Sequence, residues 1–295
     1  MTKILCVGSA VLDITFQLPE IPGSTTKYVA EQAAMVGGGI AANAAVAIQR
    51  LGGSAYLAGQ LGNDIIGKTI IDDLHKENVN VEFVTVTDQA RSAFSSVYID
   101  AEGDRQIVNF RGQNLTLRPQ WLASDLTFAT VLVDTRIPEA ALQALDMANE
   151  QNIPGIVDGE APIDTRLLYR ASHVAFSRQG LASLYPDTPL SEALLLCSQE
   201  YDIWGCVTDG GNSIHYTGPS GIEVLAAIPV NAIDTLAAGD IWHGAFALCL
   251  ANNDTELAAM QFANAAAAYK CTQPNGRQGA PTKQQLDQFI KEQYS

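Results

Sequence analysis

The chain has 295 residues, 47% hydrophobic and 17% charged, with a formal net charge of −15 and a sequence pI of about 4.5. Such a composition builds a packed core and excludes disorder. The acidity excludes a long basic groove for nucleic acid and adhesion to an anionic membrane, but not an anionic small substrate, because a few local cations can dominate one pocket.

In chain order, "KILCVGS" (3–9) reads as a buried strand. Residues 16–36, with Pro19, Pro22 and Gly23, read as short exposed strands. "GGGIAANAAVAIQRLGG" (37–53) predicts a Gly-rich turn, a helix and a glycine stop. "AYLAGQLG" follows as a strand and "IIGKTIIDDLHKENV" as an amphipathic helix. Over 92–111, two β-rich runs around "DAEGD" predict a hairpin. Strands at "TVLVDT", "PGIVDGE", "HVAFS" and "WGCVTDGG" then alternate with helical stretches such as 137–151. "SIHYT" and "IEVLAAI" predict a second hairpin, and the tail from 236 is mostly helical. Alternating β and α predicts a parallel sheet covered on both faces, with ligands beyond the carboxyl ends of its strands. The expectation is one domain over 1–295, with a small β lid from about 12–36 and 92–111.

The five cysteines, Cys6, Cys197, Cys206, Cys249 and Cys271, form no CxxC or Cys/His cluster. They predict buried free thiols and a cytoplasmic setting. The opening "MTKILCVGSAVLDITF" does not read as a signal peptide, and no apolar run reaches membrane-spanning length.

Four stretches carry chemistry. Gly37, Gly38 and Gly39 allow close backbone approach, the helix after them offers free N–H groups, and Asn43 can face the same side. A plain turn fits the same residues. Asp13, read at the end of the first strand, is either a turn residue or an acceptor for hydroxyl groups. In "NAIDTLAAGDIWHGAF" (231–246), the N–H groups of Ala237, Ala238, Gly239 and Asp240 could converge on developing negative charge. Asp240 at that spot suits a base that deprotonates an attacking hydroxyl; a helix cap explains it too. "VTDGGNS" (207–213) could wrap phosphates or form a tight turn.

Together these pieces resemble the ribokinase-like, PfkB-type carbohydrate kinases. The 37–53 run is similar to the family's first signature, and "DTLAAGDIWHGAF" to its C-terminal signature Asp-Thr-x-Gly-Ala-Gly-Asp. The resemblance covers nearly the whole chain. It implies a three-layer α/β/α fold with a mostly parallel central sheet and a small β-sheet lid. It also implies ATP-dependent phosphorylation of a sugar hydroxyl with Mg²⁺. Asp240 would be the base, and Ala237, Ala238 and Gly239 the anion hole. Asp13, Gly38, Gly39 and Asn43 would hold the sugar. Thr208, Gly210 and Gly211 would lie along the nucleotide, with Asn264 near its base, while Asp234 and Thr235 brace the turn. Family lids pair between subunits, which implies a homodimer.

Within the family the likeness is to sulfofructose kinases, carried by "GSTTKYVAEQAAMVGGG", "RQIVNFRGQN", "AFSRQGL", "DIWHGAF" and "KCTQPNGRQGAP". That branch phosphorylates 6-deoxy-6-sulfofructose at the C1 hydroxyl. Lys27, Asn109 and Arg136 match its sulfonate-gripping positions. A lysine charge, an amide donor and a guanidinium fork suit three sulfonate oxygens, although Lys27 and Arg136 equally fit solvated surface charge. Two positions depart from the pattern. Ala237 replaces a glycine. Ser177 and Gly180 stand where the family often carries Asn-x-x-Glu, so Mg²⁺ placement would rely on ATP, water and other acids such as Asp158 or Glu160, and Arg178 could pair with phosphate or face solvent. The rival readings are a kinase for another ketose or ketose phosphate (fructose, 2-keto-3-deoxygluconate, a fructose phosphate) and a sugar-binding regulator without turnover. A dinucleotide oxidoreductase fits less well, since no GxGxxG follows the first strand.

Overall fold

Short apolar runs bounded by turn residues form the central strands, and Ala-rich or amphipathic segments cover them. In the computed structural model the described residues are 2–102 and 104–293. The first half contains β1 (Lys3–Val7), β2 (Val11–Gln17), β3 (Gln32–Gly38), α1 (Ile40–Arg50), β4 (Ser54–Ala58), β5 (Gln60–Gly62), α2 (Ile65–Lys76), β6 (Thr85–Thr87), β7 (Phe94–Ile99), β8 (Arg105–Phe110), β9 (Thr130–Val133) and α3 (Pro138–Glu150). The second half contains β10 (Gly155–Gly159), α4 (Thr165–Leu168), β11 (His173–Ser177), α5 (Arg178–Leu184), α6 (Leu190–Tyr201), β12 (Trp204–Thr208), β13 (Ile214–Gly218), β14 (Gly221–Leu225), α7 (Ala238–Ala251), α8 (Glu256–Cys271) and α9 (Lys283–Gln293).

The central sheet has the order β14-β13-β12-β11-β10-β9-β1-β4. It is parallel from β12 to β4 and antiparallel at β13 and β14. Its side chains alternate between two cores, as the period of a strand requires. Ile4 and Cys6 join the core under α1, α7 and α8, while Leu5 and Val7 join the one under α3 and α6. The fold is therefore the three-layer α/β/α architecture expected, with a mostly parallel central sheet and a smaller sheet beside it.

That smaller sheet has the order β3-β2-β7-β8. Its register sets Val36, Asp13, Ser95 and Asn109 in one cross-strand row. The next row on the opposite face is Met35, Ile14, Ser96 and Val108. Gly103, inside the "DAEGD" turn, lies outside the described residues.

Three expectations are corrected. Asp13 is not at the end of the first strand: the chain turns at Gly8, and Asp13 sits mid-strand in β2. Gly37 and Gly38 are not turn residues but the end of β3, flat where the Arg277 guanidinium and the Asp13 carboxylate press on them. Only Gly39 turns, at φ 92°, with Ser9 O 2.6 Å from where a Cβ would stand. Finally, the first N–H groups of α1 are not free. Those of Ile40 and Ala42 go to Ser9 Oγ and O, and that of Ala41 to Asp134 Oδ2.

Candidate active site

Helix α7 is almost wholly apolar after its first turn and therefore buried. Its first turn is the polar exception, and it separates two cavities. One, of about 380 Å³, is lined by Asp13, Gly39, Asn43, Ser95, Asn109, Arg111, Arg136, Ala237 and Asp240, with Ser9 from the loop after β1 and Gln60 at the start of β5. The other, of about 610 Å³, is lined by Thr208, Gly210, Gly211, Ala238, Gly239, Trp242 and Asn264.

The turn between the cavities is strained. Ala237 caps α7 in the left-handed region, φ 66°, which costs a residue with a Cβ on the order of 1 kcal/mol. Ala238 N–H leans toward Thr235 O at 3.3 Å, so it is not fully available to a ligand. The N–H groups of Gly239 and Asp240 find no acceptor among the described residues, as the first turn of a helix dictates. A Cβ at Gly239 would meet nothing within 4 Å. The protein's own packing does not require glycine there, and an approaching ligand would.

Asp240 answers from the other side of the turn. Its carboxyl is desolvated, and that burial, with Asp158 adding, pushes its pKa up to about 7. Asn43 Nδ2 donates to Asp240 Oδ2 at 2.6 Å. Behind Asn43 lies the buried Arg277, whose Nη1 is 3.4 Å from Asn43 Oδ1 and whose Nη2 donates to Asp73 Oδ2. Burial also raises the pKa of Asp13, against the Ser95 hydroxyl and the Arg277 charge. Asn109 Nδ2 donates to Ser95 Oγ at 2.9 Å, completing a polar row across the small sheet.

Two cations reach the same cavity. Arg136 donates from its backbone N to Asp134 Oδ1 at 2.9 Å and from Nη1 to Ala161 O at 2.8 Å, and leaves its other guanidinium nitrogens without a protein acceptor among the described residues. Arg111, which sequence reasoning missed, has no hydrogen bond or ion pair to any described residue. Lys27 is not brought there: it is exposed in the segment between β2 and β3 and lines neither cavity.

Beside the second cavity, Thr208 Oγ1 donates to Phe176 O at 3.3 Å. The open Gly210 and Gly211 have nothing within 4 Å of a Cβ. Asn264 Oδ1 accepts from Trp242 Nε1 at 2.8 Å, so Trp242 fixes that amide. Asp234 braces the turn through Leu236 N and Gly276 N, both at 2.8 Å.

The missing Asn-x-x-Glu has a packing cause. Ser177 caps α5 by accepting from Gly180 N at 2.9 Å, and a Cβ at Gly180 would collide with Gly159 O. Arg178 is paired with Asp209 at 2.6 Å. Asp158 is buried against His243, whose Nδ1 lies 3.0 Å from Asp158 Oδ2 and 2.8 Å from Gly239 O, while Nε2 lies 3.0 Å from Ala175 O. Burial raises the pKa of Asp158 and lowers that of His243, and the two groups face each other in that buried contact. Asp158 is thus committed to His243 rather than offered to a metal.

Comparison with known proteins agrees with this geometry. The profile of the pfkB family of carbohydrate kinases matches residues 1–283. A ribokinase from Bacillus subtilis is 27% identical over 98% of this chain and 100% of its own length. A fructokinase from Vibrio alginolyticus is 25% identical over 98% and 99%. Among solved structures, a protein from Agrobacterium tumefaciens provisionally called a ribokinase superposes with a TM-score of 0.92 at 35% identity, covering 99% of this chain and 98% of that one. The structure of Arabidopsis thaliana ribokinase complexed with ribose and ATP shares the fold, at a TM-score of 0.85 and 21% identity over 98% of both chains.

Proposed function

The chain belongs to the pfkB family of carbohydrate kinases, ATP-dependent phosphotransferases acting on sugar hydroxyls, and from that premise we propose the roles and the substrate. The sugar occupies the cavity of Asp13, Asn43 and Asp240, and the nucleotide the cavity of Gly211, Trp242 and Asn264. The observation that carries this reading is the first turn of α7, which presents Asp240 to one cavity and Gly239 to the other.

The mechanism follows from that turn. Asp13 and Asn43 orient the sugar so that a primary hydroxyl meets Asp240. Asp240 takes the proton, and the oxygen attacks the γ-phosphorus in line as the bond to the β–γ bridging oxygen breaks and ADP leaves. The N–H groups of Gly239 and Asp240 stabilise the charge that grows on the transferred group. Among the described residues no group of three or more His, Cys, Asp or Glu could hold a metal ion, so Mg²⁺ would arrive on the ATP phosphates and screen their charge.

For the substrate we propose a ketose with an anionic far end, 6-deoxy-6-sulfofructose phosphorylated at C1. Support comes from Arg111, Arg136 and Asn109 in a cavity of an otherwise acidic protein; Lys27 gives none. A phosphorylated ketose uses the same cations and is the second reading. The test is a panel of sulfonated, phosphorylated and neutral ketoses, with ribose, scored by ADP release. Arg111→Ala and Arg136→Ala are expected to raise KM for the anionic ketose by about 10-fold or more and for fructose by less than about threefold. Equal effects on both sugars would remove the anionic assignment. Binding of a sugar without any turnover would favour the regulator reading. No helix among the described residues is long and apolar enough to cross a membrane, and five free thiols support a cytoplasmic setting.

A further inference from the structure

We propose that Arg277 is a positioning residue for this phosphoryl transfer: its guanidinium dictates which end of the Asn43 amide faces Asp240. The proposal rests on Asp240 being the base.

Arg277 lies in the short turn Gly276–Gly279 that follows α8 and is 1% exposed, and Asn43 on α1 is 5% exposed. A guanidinium has only donors, so only the amide oxygen of Asn43 can face it. An ionised carboxylate only accepts, so only the amide nitrogen can face Asp240. The contacts of 3.4 Å to Asn43 Oδ1 and 2.6 Å from Asn43 Nδ2 satisfy both conditions at once. Turned over, the amide would set its NH₂ against the guanidinium and its oxygen against the carboxylate. Both repulsions would act in a buried site with little screening.

The surroundings hold the arginine to this task. Asp73 on α2 takes Nη2. Gly37 lies flat against the guanidinium, where a Cβ would overlap Nη2, Cζ and Nε. The same turn is tied to the entry of α7 by Gly276 N donating to Asp234 Oδ2 at 2.8 Å. The charge also favours the ionised form of Asp13, so one buried cation serves carboxylates from two elements of the sugar cavity.

The other groups that act on Asp240 are Asp158 in β10 and Asp134 after β9, which favour its protonated form, and His243 on α7, which favours the ionised form. None of them is changed by replacing Arg277. Freed from Arg277, the Asn43 amide can turn, and Asp240 loses a donor that favours its ionised form. The acid limb of kcat then moves to higher pH.

The experiment measures kcat, KM and the pH profile for Arg277→Gln, Arg277→Lys, Asn43→Ala and the Arg277→Gln/Asn43→Ala pair, with the melting temperature as a folding control. Arg277→Gln is expected to lower kcat by about 10-fold or more and to move the acid limb up by about half a pH unit or more, and the pair to be no more than about twofold slower than Asn43→Ala alone. Arg277→Lys keeps the buried charge without the fork and gives the same cycle. Asp73→Asn, at a half-buried place on α2, unpins the arginine without emptying the core and shifts the limb in the same direction. Effects of Arg277 and Asn43 that multiply, or a lower melting temperature with an unmoved acid limb, would overturn the proposal. Asp240→Asn in the same series separates the two claims. If it keeps kcat, the base assignment fails. If it is inactive while the cycle is multiplicative, only the role of Arg277 fails.

Discussion

An aspartate beside the unpaired N–H groups of a helix entry, desolvated enough for its pKa to rise, costs stability, and the base role proposed for Asp240 gives that cost a chemical reason. An ordinary Asp is too weak a base at neutral pH; one with a pKa of about 7 is matched to removing a hydroxyl proton. The kcat profile is therefore expected to rise with pH through about 7 and level above it. Asp240→Asn should lower kcat by about 10³-fold or more while the fold persists. Stability runs the opposite way. A carboxyl whose pKa is raised by folding favours the native state fully below its unfolded value and loses that contribution as pH climbs through the folded value. The variant should thus be more stable than the wild type near pH 8, by on the order of 1–3 kcal/mol and with a correspondingly higher melting temperature, and differ little from it near about pH 4. A gain in stability that does not depend on pH would remove the assignment of the buried charge to Asp240.

At the scale of elements, what the sequence made legible is what period and turn chemistry encode. Alternating β and α, the two hairpins and the glycine-stopped helix α1 follow from local pattern. Arg111 was within reach of the same logic: it stands two residues past Asn109, so the alternation of a strand puts both on one face, and both line the cavity. Lys270, Arg277 and His243 carried no such signal. A lysine near the end of an Ala-rich helix reads as solvent-facing. Instead Lys270 is fully buried, with Nζ donating to Asp234 O at 2.7 Å and Gln273 O at 3.3 Å and lying 3.0 Å from Asp234 Oδ2. Only the folded chain brings the end of α8 beside the entry of α7. Gly37 was misread for the same reason, since the guanidinium it accommodates comes from 240 residues further along. Lys270→Met keeps the volume and strands those oxygens, at a cost of about 3 kcal/mol or more. That lowers Tm by about 6 °C or more and slackens the turn that holds Gly239. A thermal melt unchanged within about 2 °C would dismiss Lys270 as the brace.

At the scale of the whole molecule, the small sheet uses its two faces differently. The row of Asp13, Ser95 and Asn109 lines the cavity proposed for the sugar. The other face carries Met35, Ile14 and Val108, then Phe16 stacked on Tyr98. Met35 is 66% and Val108 60% exposed, and β8 is an edge strand along which nearly every residue is open. An apolar face beside an unpaired edge is a liability that chains cover. A second copy is the cover we propose: two identical faces meet about a twofold axis, where the apolar rows are self-complementary. Each sugar cavity would then be roofed by a sheet that its partner stiffens, which couples assembly to catalysis. Sedimentation at micromolar concentration should give about twice 31.4 kDa. The pair Met35→Glu and Val108→Glu buries like charges against each other across the axis, and should yield monomers whose sugar KM rises by about 10-fold or more because an unsupported sheet closes less completely. A wild-type chain that sediments as a monomer, or a monomeric variant with an unchanged KM, would separate the sheet's outer face from the reaction and leave its inner row as the part the sugar needs.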